Sequence, residues 1–142
     1  MGKLFKLITP LHQSTKRNYI KRMLNKKVDC MIESKKYAFN YWDGKRKYGY
    51  GGYKYIPGRW KKVAKNLIKK YKLNNNSKIL DVGCGKGFLL YEIKKLLPGI
   101  EVKGFDISKY AILKSKNEVK KYLFVLKAQD RYPFKKNQFD LA

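Results

Sequence analysis

The stretch Lys78-Ile-Leu-Asp-Val-Gly-Cys-Gly-Lys-Gly-Phe-Leu-Leu90 constrains this chain more than any other. Ile79, Leu80 and Val82 make a short apolar run, which suits a buried strand of a parallel sheet. Gly83, Gly85 and Gly87 follow at alternate positions, and an apolar-rich stretch from Phe88 to Leu97 then reads as a helix. Strand, glycine loop and helix together open a nucleotide-binding βαβ unit. Glycines let the backbone turn tightly and let a ligand approach main-chain atoms that a Cβ would block.

The loop is not a phosphate loop, because Gly-x-x-x-x-Gly-Lys-Ser/Thr is absent. A dinucleotide loop, Gly-x-Gly-x-x-Gly, needs its third glycine where this chain has Phe88. The strand also ends in Asp81, two residues before the first glycine. A carboxylate sits badly beside a pyrophosphate but suits a ligand that carries an ammonium group and a sulfonium. Asp81-x-Gly83-x-Gly85-x-Gly87 resembles the first motif of the class I S-adenosylmethionine-dependent methyltransferases. Asp106 lies 23 residues beyond Gly83, at the end of the second expected strand. In open α/β sheets that is the crevice where ligands bind, and a carboxylate there can accept hydrogen bonds from ribose hydroxyls. Dehydrogenases use the same ribose geometry, so Asp106 alone does not choose between the families.

Charge raises a competing reading. The chain of 142 residues carries 35 basic and 10 acidic residues, a formal net charge of +25. That invites a nucleic-acid partner. Only Arg17, Arg22, Arg46, Arg59 and Arg131 are arginine, however, the residue whose fork reads bases and phosphates. Solvated lysine faces are the plainer account. Cys30 and Cys84 are the only cysteines, there is no CxxC or Cys/His cluster, and a disulfide would distort the loop around Cys84. Neither a metal site nor a disulfide framework is expected. His12, the only histidine, reads as a surface residue near a mobile terminus. Met1–Pro10 is too short for a signal peptide or a membrane span, and the expected location is cytoplasmic.

Taken in order, residues 1–14 read as an irregular arm. Thr15 can cap a basic amphipathic helix over Lys16–Tyr37, with Ile20, Leu24, Val28, Met31 and Ile32 on one stripe. Such a helix covers the main domain or closes a pocket, or, as a sharper alternative, meets a membrane surface or RNA. Residues 37–60 interleave aromatics with glycines and with Arg46 and Arg59, which excludes a long helix or a regular strand. They read as a lid before the cofactor domain or as rings packed on the core. In the lid reading, Tyr53 and Trp60 wall the ligand and Arg59 pairs with a carboxylate such as that of the methionyl moiety. Trp60–Tyr71 reads as a helix with Val63, Ala64, Leu67, Ile68 and Tyr71 on one side. Glu101–Phe105 is the second strand, Ser108 caps a helix to about Lys121, Tyr122–Leu126 is the third strand, and Phe139–Ala142 begins a fourth.

After the third strand, Pro133-Phe134 and Phe139-Asp140 match the register of the family's Gly-Asp-Ala-x-x-Leu-Pro-Phe segment and its following Phe-Asp. The resemblance covers residues 60–142 and implies an α/β, Rossmann-like, doubly wound parallel sheet. Three strands and the start of a fourth are present, in the order third, second, first, fourth. Residues 1–59 form a helical arm and a Tyr/Gly-rich lid segment, and residues 60–142 the N-terminal half of the domain. The expectation is a fragment of a longer protein, marginally stable and inactive alone. The resemblance further implies S-adenosyl-L-methionine as cofactor, with Asp81, Gly83, Cys84, Gly85 and Gly87 around its methionyl part. Tyr53 and Arg59 face that part, Asp106 holds the ribose, and Ile107 lies beside it. Ala128 stands where the family's adenine-binding acid is expected, so Gln129 or Asp130 takes that role if the loop shifts by one residue. A general base comes from loops after the fourth or later strands, so no residue is named catalytic. The expected activity is methyl transfer to a small molecule. The alternatives are an RNA or protein methyltransferase that uses the basic, aromatic N-terminal segment, and a non-catalytic cofactor-binding protein.

Overall fold

The computed structural model describes residues 26–142, together with Leu7, Ile8, Pro10 and Ile20. The expected arm over 1–14, the Thr15 cap, His12 and Leu24 lie otherwise outside the described residues. Helix α1 is Lys27–Ser34, and it ends three residues before the expected Tyr37. The Ser34 hydroxyl turns back to the carbonyls of Cys30 and Tyr48, and Tyr37 adopts a left-handed φ of 49°, so the chain changes direction there. Val28, Met31 and Ile32 are about half exposed or more, and no residue of α1 is buried. The expected apolar stripe therefore covers nothing among the described residues.

Helix α2, Phe39–Trp42, is a single turn. Residues 43–60 then run without helix or strand, as the aromatic-glycine composition requires. Helix α3, Lys61–Tyr71, buries Val63 and Ala64 and packs Leu67 and Ile68 against the core. Tyr71 is nearly half exposed.

The sheet is parallel. Strand β1, Lys78–Val82, pairs with β2, Glu101–Asp106, placing Ile79 opposite Val102 and Asp81 opposite Gly104. Strand β3, Leu123–Val125, pairs with the other edge of β2. On the free edge of β1 the backbone bridges Ile79 to Leu141, with Leu80 N–H donating to the Leu141 carbonyl at 2.9 Å. The order of the three strands is therefore third, second, first, as the resemblance implies, and the expected fourth strand is a single bridge at Leu141 beside the first. Ile79 and Leu80 point to opposite faces of β1, yet both are buried, which is the mark of a sheet covered on both sides.

Helix α4, Phe88–Leu96, connects β1 to β2 and buries Phe88, Leu90, Glu92 and Ile93. The connection from β2 to β3 is not the single helix expected from Ser108 to Lys121. It breaks into α5, Lys109–Leu113, and α6, Asn117–Lys120. Between them the Ser115 side chain donates to the Ile112 carbonyl and Lys116 becomes extended. The Lys116 N–H then donates to the Lys86 carbonyl in the glycine loop at 3.3 Å. A polar main-chain group of that loop is satisfied at the cost of helix continuity.

Candidate functional site

The glycine loop is built as its spacing requires. Gly83, Gly85 and Gly87 have φ values of 79°, 55° and 70°, all in the left-handed region that a side chain disfavours. The N–H groups of Gly83 and Cys84 both donate to the Phe105 carbonyl at the end of β2. A Cβ on Gly83 would meet nothing within 4 Å, so that backbone borders open space. A Cβ on Gly87 would strike Leu123 at 2.7 Å, so the third glycine serves close packing of helix on sheet.

Asp106 is buried under the loop. One carboxylate oxygen accepts from Gly85 N–H at 2.9 Å, and the other from Ser108 N–H at 2.8 Å. Ser108 caps α5 by accepting from Ala111 N–H. Its hydroxyl also accepts from the Trp42 indole Nε1–H at 2.8 Å. Trp42 is 5% exposed, and its ring edge would lie 2.9 Å from a Cβ on Gly85. The aromatic segment is thereby seated on the glycine loop itself.

A buried ion pair makes the second attachment. Lys86 lies inside the glycine triad, is 5% exposed, and donates to both Asp43 oxygens at 2.8 and 2.7 Å and to the Tyr53 carbonyl at 2.8 Å. Asp43 also accepts from Tyr53 N–H and from the Tyr110 hydroxyl. Burial works against the Asp43 charge, but the hydrogen bonds from Lys86 and Tyr110 outweigh it and hold its carboxyl below the usual range. A third attachment is the Tyr55 hydroxyl, which donates to the buried Glu92 of α4 at 2.5 Å. The Tyr53 ring stacks on Phe88, with centroids 5.1 Å apart.

Between loop and aromatic segment lies a cavity of about 510 Å³, within the range for small-molecule sites. Asp81, Gly83, Cys84 and Gly85 line one wall, and Trp42, Tyr50, Tyr53, Arg59 and Trp60 the other. Asp81 has no hydrogen-bonded side-chain partner among the described residues. Burial, and then the charge of Asp106, push its carboxyl up to about 6. A cation placed beside Asp81 would reverse that penalty. The Cys84 thiol is pushed far up by burial and by the neighbouring carboxylates, so it stays protonated.

Seven of the expected site residues thus share one cavity: Asp81, Gly83, Cys84, Gly85, Tyr53, Arg59 and Trp60. Gly87 and Asp106 support it from behind. Ile107 is exposed, and Gln129 and Asp130 are exposed in a turn; none of the three lines this cavity. The sequence reading missed Trp42, Asp43 and Lys86; it found Ser108 as the helix cap but not as the seat of Trp42. One signal was available: Asp43 is the only acid between residues 37 and 60. Among the described residues no cluster of metal-ligating side chains occurs, and no helix is long and apolar enough to cross a membrane.

Residues 73–142 match the family model described as "Methyltransferase domain". Those 70 of the chain's 142 residues are similar to methyltransferase domains. A malonyl-[acyl-carrier protein] O-methyltransferase of Bacillus anthracis is 30% identical over 70 residues, covering 45% of this chain and 26% of that protein. The chain therefore spans about a quarter of the curated relative it matches. Among solved structures, the MccD protein is 30% identical with a TM-score of 0.48, covering 58% of this chain and 37% of that one. A SAM-dependent methyltransferase from Aquifex aeolicus is 24% identical with a TM-score of 0.42, covering 61% and 54%.

Proposed function

We propose that this chain contributes the cofactor-binding half of an S-adenosylmethionine-dependent methyltransferase acting on a small molecule. The observation that carries the reading is the unpartnered Asp81 carboxylate, set beside glycine backbone in an aromatic-walled cavity. A carboxylate at that place binds the α-ammonium group of the methionyl part, and it favours the positive sulfonium by charge. Gly83 offers backbone that a ligand can approach without meeting a Cβ. The Arg59 guanidinium has no hydrogen-bonded or ion-paired partner among the described residues, lines the cavity, and suits the methionyl carboxylate. Each Asp106 oxygen accepts one backbone N–H and keeps capacity for a second bond, which leaves it able to take a ribose hydroxyl.

Asp81, Arg59 and the glycine loop would hold the cofactor, which would supply an electrophilic sulfonium methyl to a lone pair of the acceptor, the thioether being the leaving group. The part played by this chain is to orient that group and to exclude water, with Trp42, Tyr50, Tyr53 and Phe88 as the apolar wall. A small acceptor follows from the size of the cavity, about 510 Å³.

The test is calorimetric titration of S-adenosylhomocysteine into the full chain and into Asp81→Asn and Asp106→Ala. Loss of a charge-assisted contact costs about 1.5–3 kcal/mol, so each variant should bind roughly ten- to a hundredfold more weakly. A well-folded wild type that binds no S-adenosylhomocysteine would remove the methyltransferase reading.

A further inference from the structure

We infer that the exposed end of this cavity takes an acceptor bearing an oxyanion, a carboxylate or a phosphate, with Arg46 as its anchor. The inference rests on the cofactor reading above, because it assigns Arg59 to the cofactor and Arg46 to the acceptor.

Lysine dominates this chain so heavily that a lysine near any site carries little information. Arginine does not. Among the described residues, two of the three arginines line this one cavity, against one of 26 lysines, Lys54. A composition that favours lysine almost everywhere has kept guanidinium here, where planar fork geometry matters. Among the described residues, Asp81 is the only acid in the lining. The ion pairs among the described residues all use lysine, so neither guanidinium is neutralised by a carboxylate.

The two arginines are held differently. Arg46 Nη1 donates to the carbonyls of Gly49 at 3.0 Å and Tyr50 at 2.6 Å, which pins the group against its own loop. Its Nε and Nη2 donors have no partner among the described residues. That is a guanidinium with one edge anchored and one edge free, the arrangement that receives an oxyanion through two parallel bonds. The close approach of the Arg46 side chain to Gly51 reinforces it: a Cβ on Gly51 would lie 2.9 Å from the Arg46 Cδ. Gly51, at φ 71°, leaves room for the pinned side chain. Arg46, Gly52, Lys54 and Ile56 are exposed, whereas Gly85 is buried and Asp81 half-buried. The cavity thus runs from a cation-binding floor at Asp81 to a cationic rim at Arg46 and Lys54. An acceptor entering from that rim meets positive charge before it reaches the place of the methyl group.

The experiment titrates malonate, and separately inorganic phosphate, into the full chain with and without saturating S-adenosylhomocysteine. Wild type, Arg46→Ala, Arg46→Lys and Arg59→Ala are compared. The expected result is oxyanion binding by the wild type with S-adenosylhomocysteine bound, weakened at least tenfold by Arg46→Ala. Arg46→Lys, which keeps the charge and can still donate to the loop carbonyls, should lose most of that binding while its melting temperature and its affinity for S-adenosylhomocysteine stay at wild-type values. A preference for malonate or for phosphate names the acceptor's oxyanion. Equal oxyanion affinity in wild type and Arg46→Lys, no oxyanion binding at all, or displacement of the oxyanion by S-adenosylhomocysteine would overturn the assignment. The titrations without S-adenosylhomocysteine keep the two readings apart. If that ligand does not bind but oxyanion binding still depends on Arg46, the cofactor reading falls and the oxyanion site stands.

Discussion

The two halves of this molecule are held in place by different physics. From Lys61 onward, position follows from regular backbone pairing and from burial of residues such as Ile79, Leu90, Ile93, Val102 and Val119. No single contact decides where β1 lies. The segment 37–60 has no strand and one helical turn. It is placed by a few long-range polar contacts: Trp42 to Ser108, Asp43 to Lys86 and Tyr110, and Tyr55 to Glu92. A wall of the site fixed by so few bonds is sensitive to single substitutions, while the sheet that carries the glycine loop is not. The lid and packing readings of this segment also merge, because the rings that pack on the loop are the rings that line the cavity.

The sharpest way to break the contrast is Trp42→Ala. It removes a buried ring and both indole contacts, and it should cost about 3–5 kcal/mol in urea unfolding. Amides of residues 42–53 should lose hydrogen-exchange protection, while those of β1 and β2 stay protected up to the new, lower global limit. Trp42→Phe keeps most of the apolar volume and should cost about 1–2 kcal/mol, because the indole N–H is lost to both Ser108, which keeps Ala111 N–H, and the Tyr37 carbonyl, which keeps the Ser108 hydroxyl. Next is Asp43→Ala, which strands a lysine that is 5% exposed; about 3 kcal/mol is expected. Replacing both residues, Asp43→Ala with Lys86→Met, should recover much of that loss, and a double-mutant cycle in urea checks the coupling.

Asp81 links the site to stability with the opposite sign. Its carboxyl stands near 6 in the folded chain against an ordinary value of 3.8. The folded state therefore holds this proton more tightly, and the group favours folding most below about pH 4. That contribution is lost as the pH rises through 6. Asp81→Asn should accordingly raise the melting temperature of the ligand-free protein at pH 8 and leave it nearly unchanged at pH 4. The same variant should bind S-adenosylhomocysteine poorly. Wild-type affinity should be flat above about pH 7 and fall by up to about tenfold per unit below pH 6, as Asp81 takes up its proton. The smallest effect expected is from Ser108→Ala, about 1 kcal/mol for a lost helix cap, with additional loosening of Trp42.

The same contrast explains what could be read from sequence. Apolar periodicity and the alternate glycines gave β1, α4 and β2 nearly to the residue, because those elements depend on neighbours close in the chain. The break between α5 and α6 was not legible. Its cause is the Lys116 N–H answering a carbonyl at Lys86, thirty residues earlier. The seats of Trp42 and Asp43 were hidden for the same reason, since Ser108 lies 66 residues from Trp42 and Lys86 lies 43 from Asp43. Lys86 itself sits at a variable position of the glycine motif, where spacing rules are silent. Asp81, Tyr53 and Arg59 came out in one cavity because motif and composition pointed to them independently.

The most direct test follows the Trp42 indole N–H and the Gly83 and Gly85 amides by NMR as S-adenosylhomocysteine is added. If the aromatic segment and the glycine loop form one site, all three signals move along the titration with a single dissociation constant. Glycine amides that shift while the Trp42 signal stays fixed, or no shift in any of them, would contradict the account.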